Sequence, residues 1–153
     1  MIAIVLVLLL FDIVSKVLVS NYVLHGTSIS LINNVFYITY VKNTGAAWSL
    51  FDDSQFFVML ISGIIIFAII VYIIKNGPYS FAEKLAYSLI VGGAIGNFIN
   101  RLFLGYVIDF IGIIIFGYEY PIFNLADVFI VFGVLILVIY TWRCKRNDDS
   151  SRW

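Results

Sequence analysis

Four stretches of the chain are apolar over about the 20 residues that a helix needs to cross some 30 Å of hydrocarbon. They cover residues 2–20, 56–74, 84–104 and 123–142. The first has no basic start and no small-residue cleavage site before Asp12 and Lys16, so it reads as a retained span and not a secretory signal. Between the spans lie a long loop (21–55), a short one around Asn76, Gly77 and Pro78, and a loop over 105–122; residues 143–153 form a polar tail. In the long loop, Ile29, Leu31, Phe36 and Ile38 alternate with polar neighbours and lead into a β-branched and aromatic run over 35–41. That pattern predicts a small β-sheet at the membrane surface. Residues 111–120 are too few to span and rich in Ile, Phe and Tyr, so they form either an interfacial helix or a hairpin. The expected fold is an all-α membrane protein of four spans, forming one domain over 1–153, with a small sheet in the first outer loop and a short interfacial segment in the second.

Composition agrees with this picture. Of 153 residues, 63% are hydrophobic and 12% charged, against about half and about a quarter in soluble domains. Too little polar surface remains to cover a globule in water. Nine basic and nine acidic residues balance, which argues against nucleic acid as a partner. With one cysteine (Cys144), neither an intramolecular disulfide nor a cysteine-based metal cluster can be built; with one histidine (His25) as well, a zinc site has almost nothing to build from, and no metal or cofactor is expected.

The basic residues sort the loops. Lys75, Lys84, Arg143, Lys145, Arg146 and Arg152 belong to the short loop, its border or the tail, whereas the long and medium loops hold only Lys42. By the positive-inside rule, the short loop and both termini are cytoplasmic and the other two loops lie outside.

This orientation gives each buried polar group a depth. Asp12 and Lys16 share one helical face in the outer half of the first span. Gly93, Asn97 and Arg101 form a stripe at the outer end of the third span, Asp109 follows it, and Asn124 and Asp127 open the fourth. Charges at membrane depth are costly unless paired or facing a wet cavity, so these residues predict one polar pocket near the outer leaflet. Simpler roles compete. Asp12 and Lys16 suit a structural pair, Arg101 a brace for carboxylates, the two Asn side chains bridges between helices, and Asp109 alone a solvated loop acid. Gly92 and Gly96, four apart, allow close helix contact.

No Ser/His/Asp set, Ser/Lys dyad or phosphate loop can be assembled. What remains is carboxylates: two Asp side chains in low dielectric share a proton, one acting as base to water and the other as acid to the departing group. Asp109 and Asp127 are the natural pair.

Five blocks occur in order: Asp12-Ile-Val-Ser-Lys16, Asn43-Thr-Gly-Ala-Ala-Trp48, Gly92-Gly-Ala-Ile-Gly-Asn-Phe-Ile-Asn-Arg101, Val107-Ile-Asp-Phe110 and Phe123-Asn-Leu-Ala-Asp127. Across nearly the whole chain the sequence resembles the bacterial lipoprotein signal peptidases (signal peptidase II). The resemblance implies a monomeric, multi-pass aspartic endopeptidase of the bacterial cytoplasmic membrane, needing no cofactor. Its substrates would be lipid-modified prolipoproteins, cut before the diacylglyceryl cysteine; membrane lipids and globomycin-type cyclic peptide inhibitors are its other partners. It implies Asp109 and Asp127 as catalytic, Asn43, Gly45, Asn97, Arg101 and Asn124 as lining or bracing the site, and Asp12 and Lys16 as the first-span motif. The outer loops would clamp the substrate. Where the family usually has Asp-Arg, this chain has Asn100-Arg101. The rival readings are a small transporter or proton pathway using the same charges, and a non-catalytic scaffold. The aliphatic and aromatic inner halves of the spans disfavour a pathway through the full thickness.

Overall fold

In the computed structural model, residues 1–45, 55–77 and 79–150 are described, with the side chains of Gln55 and residues 146–150 excepted. Trp48, Pro78 and Arg152 therefore lie outside the described residues. Four helices are long and apolar enough to cross a membrane: α1 (Ile2–Tyr22), α2 (Gln55–Asn76), α3 (Phe81–Leu104) and α4 (Leu125–Ser150). Their flanks expose large apolar side chains such as Leu10, Phe67 and Leu135. This suits a solvent of acyl chains, where no backbone polar group can be left unpaired.

Helix ends follow local chemistry more closely than hydropathy. α3 begins three residues before its apolar run because Ser80 and Glu83 form a capping box, each side chain bonding the other's backbone N–H. It stops at Gly105, whose φ of 78° places it in the left-handed region. α4 starts at Leu125 and not at 123, because Phe123 is held in a β-bridge with Ile111 and Asn124 stands ahead of the helix. At its far end α4 continues through the polar tail to Ser150.

α3 is the central span. It packs on α1, α2 and α4, whereas α2 touches α3 alone among the described elements. Small residues allow these approaches. A Cβ at Gly93 would collide with the Ala126 carbonyl, one at Gly133 would lie 2.7 Å from the Ala86 carbonyl, and one at Gly96 would sit 2.5 Å from Asp12 Oδ2.

The sheet is larger than the sequence pattern indicates. Strands β1 (Ser28–Ile32) and β2 (Phe36–Asn43) come from the first loop, and β3 (Val107–Ile115) and β4 (Tyr118–Glu119) from the loop between α3 and α4. All pair antiparallel in the order β1-β2-β3-β4. Thus the 111–120 segment is a hairpin and not an interfacial helix, and the sheet joins both loops. Val19 of α1 and Val23 just beyond its end pack with Tyr40, Ile108 and Phe110, fixing the sheet on one end of the bundle. The β2–β3 ladder sets Val41 opposite Asp109 and Asn43 opposite Val107. A polar pair is thereby carried to the helix ends.

Because the Ala126 backbone cannot yield, Gly93→Ala should cost about 1–3 kcal/mol by overpacking. Gly77→Ala, whose Cβ would make only ordinary contacts at 3.7 Å and beyond, should leave stability unchanged. Thermal unfolding in detergent distinguishes them; equal midpoints for both variants would contradict the close α3–α4 packing.

Candidate active site

Asp12 and Lys16, one turn apart on α1, are sealed from solvent, with Nζ 2.7 Å from Asp12 Oδ2. A buried ion pair survives only if its remaining hydrogen-bonding capacity is used. Here it is. Asp12 Oδ1 accepts from the Ala126 N–H in the first turn of α4 at 3.1 Å, and Lys16 Nζ donates to Asn97 Oδ1 of α3 at 2.9 Å.

That last contact fixes the direction of the network. An ammonium has donors only, so Asn97 must turn its oxygen to Lys16 and its NH₂ away. Asn97 Nδ2 then donates to Asp127 Oδ1 at 2.8 Å. Asn97 Oδ1 also accepts from Asn124 Nδ2 at 3.1 Å, and the same Nδ2 donates to Asp109 Oδ1 at 2.6 Å. The other Asp109 oxygen accepts from Asn43 Nδ2 at 2.8 Å, while Asn43 Oδ1 takes the Gly45 N–H at 3.1 Å. Asn124 also caps α4: its Oδ1 accepts from the Asp127 N–H at 3.2 Å, and its own N–H donates to Asp127 Oδ2 at 3.1 Å. This reciprocal arrangement satisfies two free donors at the helix start and presents Asp127 to the positive end of α4.

Eight of the nine predicted site residues therefore join one hydrogen-bonded network drawn from α1, β2 and its edge, α3, β3 and α4. The ninth, Arg101, is close enough to Asp109 and Asp127 to interact with both charges. Its buried Nε has no hydrogen-bond partner among the described residues. The simple reading of Asp109 as a solvated loop acid does not fit, since it is buried on β3. Burial pushes its carboxyl up to about 6, opposed by the donors Asn43 and Asn124 and assisted by the Asp127 charge. Asp127 is more open, at intermediate exposure. Among the described residues, no three His, Cys, Asp or Glu side chains gather as metal ligands.

Several groups lie apart. His25 stacks edge-on with Tyr40 at 5.4 Å, Lys42 sits over the Tyr106 ring at 5.0 Å, and Cys144 is an exposed free thiol. One contact escaped the sequence. Asn100 Oδ1 accepts from the Ile108 N–H at 3.2 Å and so ties α3 to β3 one residue before Asp109. The sequence marked this position, where the resembled family usually has Asp, but not its partner, because a backbone N–H leaves no mark in the pattern.

Four spans closing over a carboxylate and amide cluster at one end define a multi-pass membrane enzyme. The family model for signal peptidase (SPase) II matches residues 4–143, and the chain belongs to that family: it is a peptidase. It is 40% identical over 136 residues to a protein of Anoxybacillus flavithermus (strain DSM 21510 / WK1) named as a lipoprotein signal peptidase, covering 89% of this chain and 81% of that one. A protein of the same name from Staphylococcus aureus (strain JH9) is 38% identical over 142 residues, covering 93% and 87%. Two solved bacterial membrane enzymes have similar folds. One has a TM-score of 0.87 and 36% identity over 95% of this chain and 89% of its own; the other has 0.83 and 37% over 92% and 90%.

Lys16→Met would leave Asp12 buried without its cation and Asn97 without its donor, costing about 3–5 kcal/mol. The double variant Asp12→Leu/Lys16→Met should lose less than the two single losses together, as a double-mutant cycle in detergent would read. Strict additivity would mean that the pair does not interact.

Proposed function

We propose that this peptidase removes signal peptides from lipid-modified prolipoproteins, cutting before the diacylglyceryl cysteine, with Asp109 and Asp127 as its catalytic acids. The observation that carries the reading is the amide bridge, Asp109–Asn124–Asn97–Asp127, which brings two acids from distant parts of the chain to one end of the spans. The names of the relatives supply the substrate class.

The two carboxyl groups have different surroundings, which divides the labour. Asp109, buried and raised to about 6, holds the proton; Asp127, more open and set at the start of α4, is the base. Asp127 takes a proton from water as its oxygen attacks the scissile carbonyl carbon, while Asp109 gives its proton to the carbonyl oxygen. The tetrahedral adduct then collapses. A proton passes to the peptide nitrogen, the C–N bond breaks, and the carboxyl groups return to their starting states with one water consumed. Arg101, near both acids, balances negative charge as it develops.

Asn43, Gly45, Asn97, Asn124, Asp12 and Lys16 support these acids and do not themselves react. The sheet end faces outward and both termini are cytoplasmic, because Lys75, Lys84, Arg143 and Lys145 gather at the opposite end. A diacylated substrate presents its cleavage point at that outer level, and it would enter from the lipid. The enzyme works as a monomer without a cofactor, and globomycin-type cyclic peptides compete with the substrate for the two acids.

Asp109→Asn and Asp127→Asn should each abolish cleavage of a diacylglyceryl-modified preprotein while the protein still inserts. Normal processing by either variant would falsify the dyad. The acid must be protonated, so activity should fall as pH rises through about 6. Asn43→Ala removes a donor that favours the Asp109 anion, which raises its pKa and moves that alkaline limb to higher pH. A pH–rate profile of the variant reads the shift, and an unmoved or lowered limb would count against Asp109 as the acid.

A further inference from the structure

The β3–β4 hairpin turns through two residues, Phe116 at φ 52° and Gly117 at φ 79°. Two consecutive left-handed residues make a type I′ turn, whose first position suits Asn, Asp or Gly. A bulky aromatic side chain with positive φ is a backbone outlier and carries strain. Phe116 is also fully exposed. In water this residue would be unfavourable in its backbone and in its side chain alike, with nothing gained in contacts.

The sheet around the tip has two unlike faces. Cross-strand partners place Ile29, Ile38 and Ile111 together, then Phe36 with Ile113, and Ile115 with Tyr118. The other face carries Ser28 with Thr39, Ser30 with Tyr37, and Glu119 opposite Ile114. Ile38 and Ile111 of the apolar face pack against the cluster of Val19, Val23, Tyr40, Ile108 and Phe110, where the sheet meets the end of α1. Away from α1 that face is left open at Ile29, Ile115 and Tyr118. Beside the tip, Tyr118 and Tyr120 stack edge to face at 5.2 Å, both exposed. Tyrosines of this kind favour the boundary between headgroups and acyl chains.

We propose that the β3–β4 hairpin is a lipid anchor, with the Phe116 side chain inserted among the acyl chains of the leaflet beside the sheet. The bilayer is the one partner that four spans guarantee, and the hairpin, like their flanks, exposes large apolar side chains. Transfer of Phe116 from water to hydrocarbon offsets the strain of its turn. The strand that carries Asp109 is then held at both ends, by α3 and α4 at one and by lipid at the other. This inference does not depend on the proposed substrate or on the roles of the acids.

The test is fluorescence of the full chain in vesicles of phosphatidylethanolamine and phosphatidylglycerol, with and without lipids brominated along their acyl chains. Phe116→Trp keeps an apolar aromatic ring at the tip, and Tyr118→Trp reports from regular strand backbone should the tip variant not fold. Ser28→Trp, on the polar face of β1 and at the end of the sheet away from the tip, is the control. Relative to the parent protein, the added emission at 116 or 118 should be blue-shifted, lost to brominated lipid and spared by aqueous iodide. The emission at 28 should be lost to iodide. Iodide quenching at 116 and 118 equal to that at 28 would overturn the proposal. Shielding from both quenchers would also overturn it, since a protein surface would then cover the hairpin.

Discussion

Two cations and three carboxyl groups gather at one end of an apolar bundle, where a charge is costly unless it is paired or faces a wet cavity, and the rest of the structure is arranged around that constraint. Lys16 is its pivot. It neutralises Asp12, and by taking the oxygen of Asn97 it forces the opposite side of that amide toward Asp127. Asp12 in turn grips the first turn of α4 through the Ala126 N–H. The α1 pair therefore sets both the position of α4 and the polarity of the amide bridge. Gly93 and Gly96 belong to the same arrangement, since side chains at either place would push α4 or Asp12 aside.

The spans were legible because length and apolar content decide them almost alone. Asp12 and Lys16 were legible as a helical pair, and the depth of the other polar groups followed from the uneven basic residues. The assembly of the sheet was not. The run Ile111-Gly-Ile-Ile-Ile115 has no clear alternation, and Phe116-Gly117 is not a usual turn signal. Nothing local announces that it pairs with β2, more than 60 residues earlier in the chain. The fourth helix was drawn too early for a related reason: hydropathy cannot see that Phe123 is taken by a bridge to Ile111.

Within the site, residue types could be read but not their connections. Lys16 and Asn97 are 81 positions apart, and only the folded chain shows which end of the amide meets the ammonium. Asn100 is the same lesson in a smaller form. Where the resembled family usually carries an acid, this chain uses an amide oxygen to hold the Ile108 N–H, a task that needs no charge. Asn100 thus ties α3 to β3.

The central claim is that one buried carboxyl, Asp109, stays protonated beside a second acid in the range where ordinary aspartates are ionised. Infrared difference spectroscopy of protein carrying ¹³C-labelled aspartate, titrated in lipid, observes this without any substrate. A protonated-carboxyl band that fades with a midpoint near 6 and is missing in Asp109→Asn is the expected result. A band that has already vanished in the ordinary aspartate range, near 4, or one unaffected by Asp109→Asn, would contradict the account.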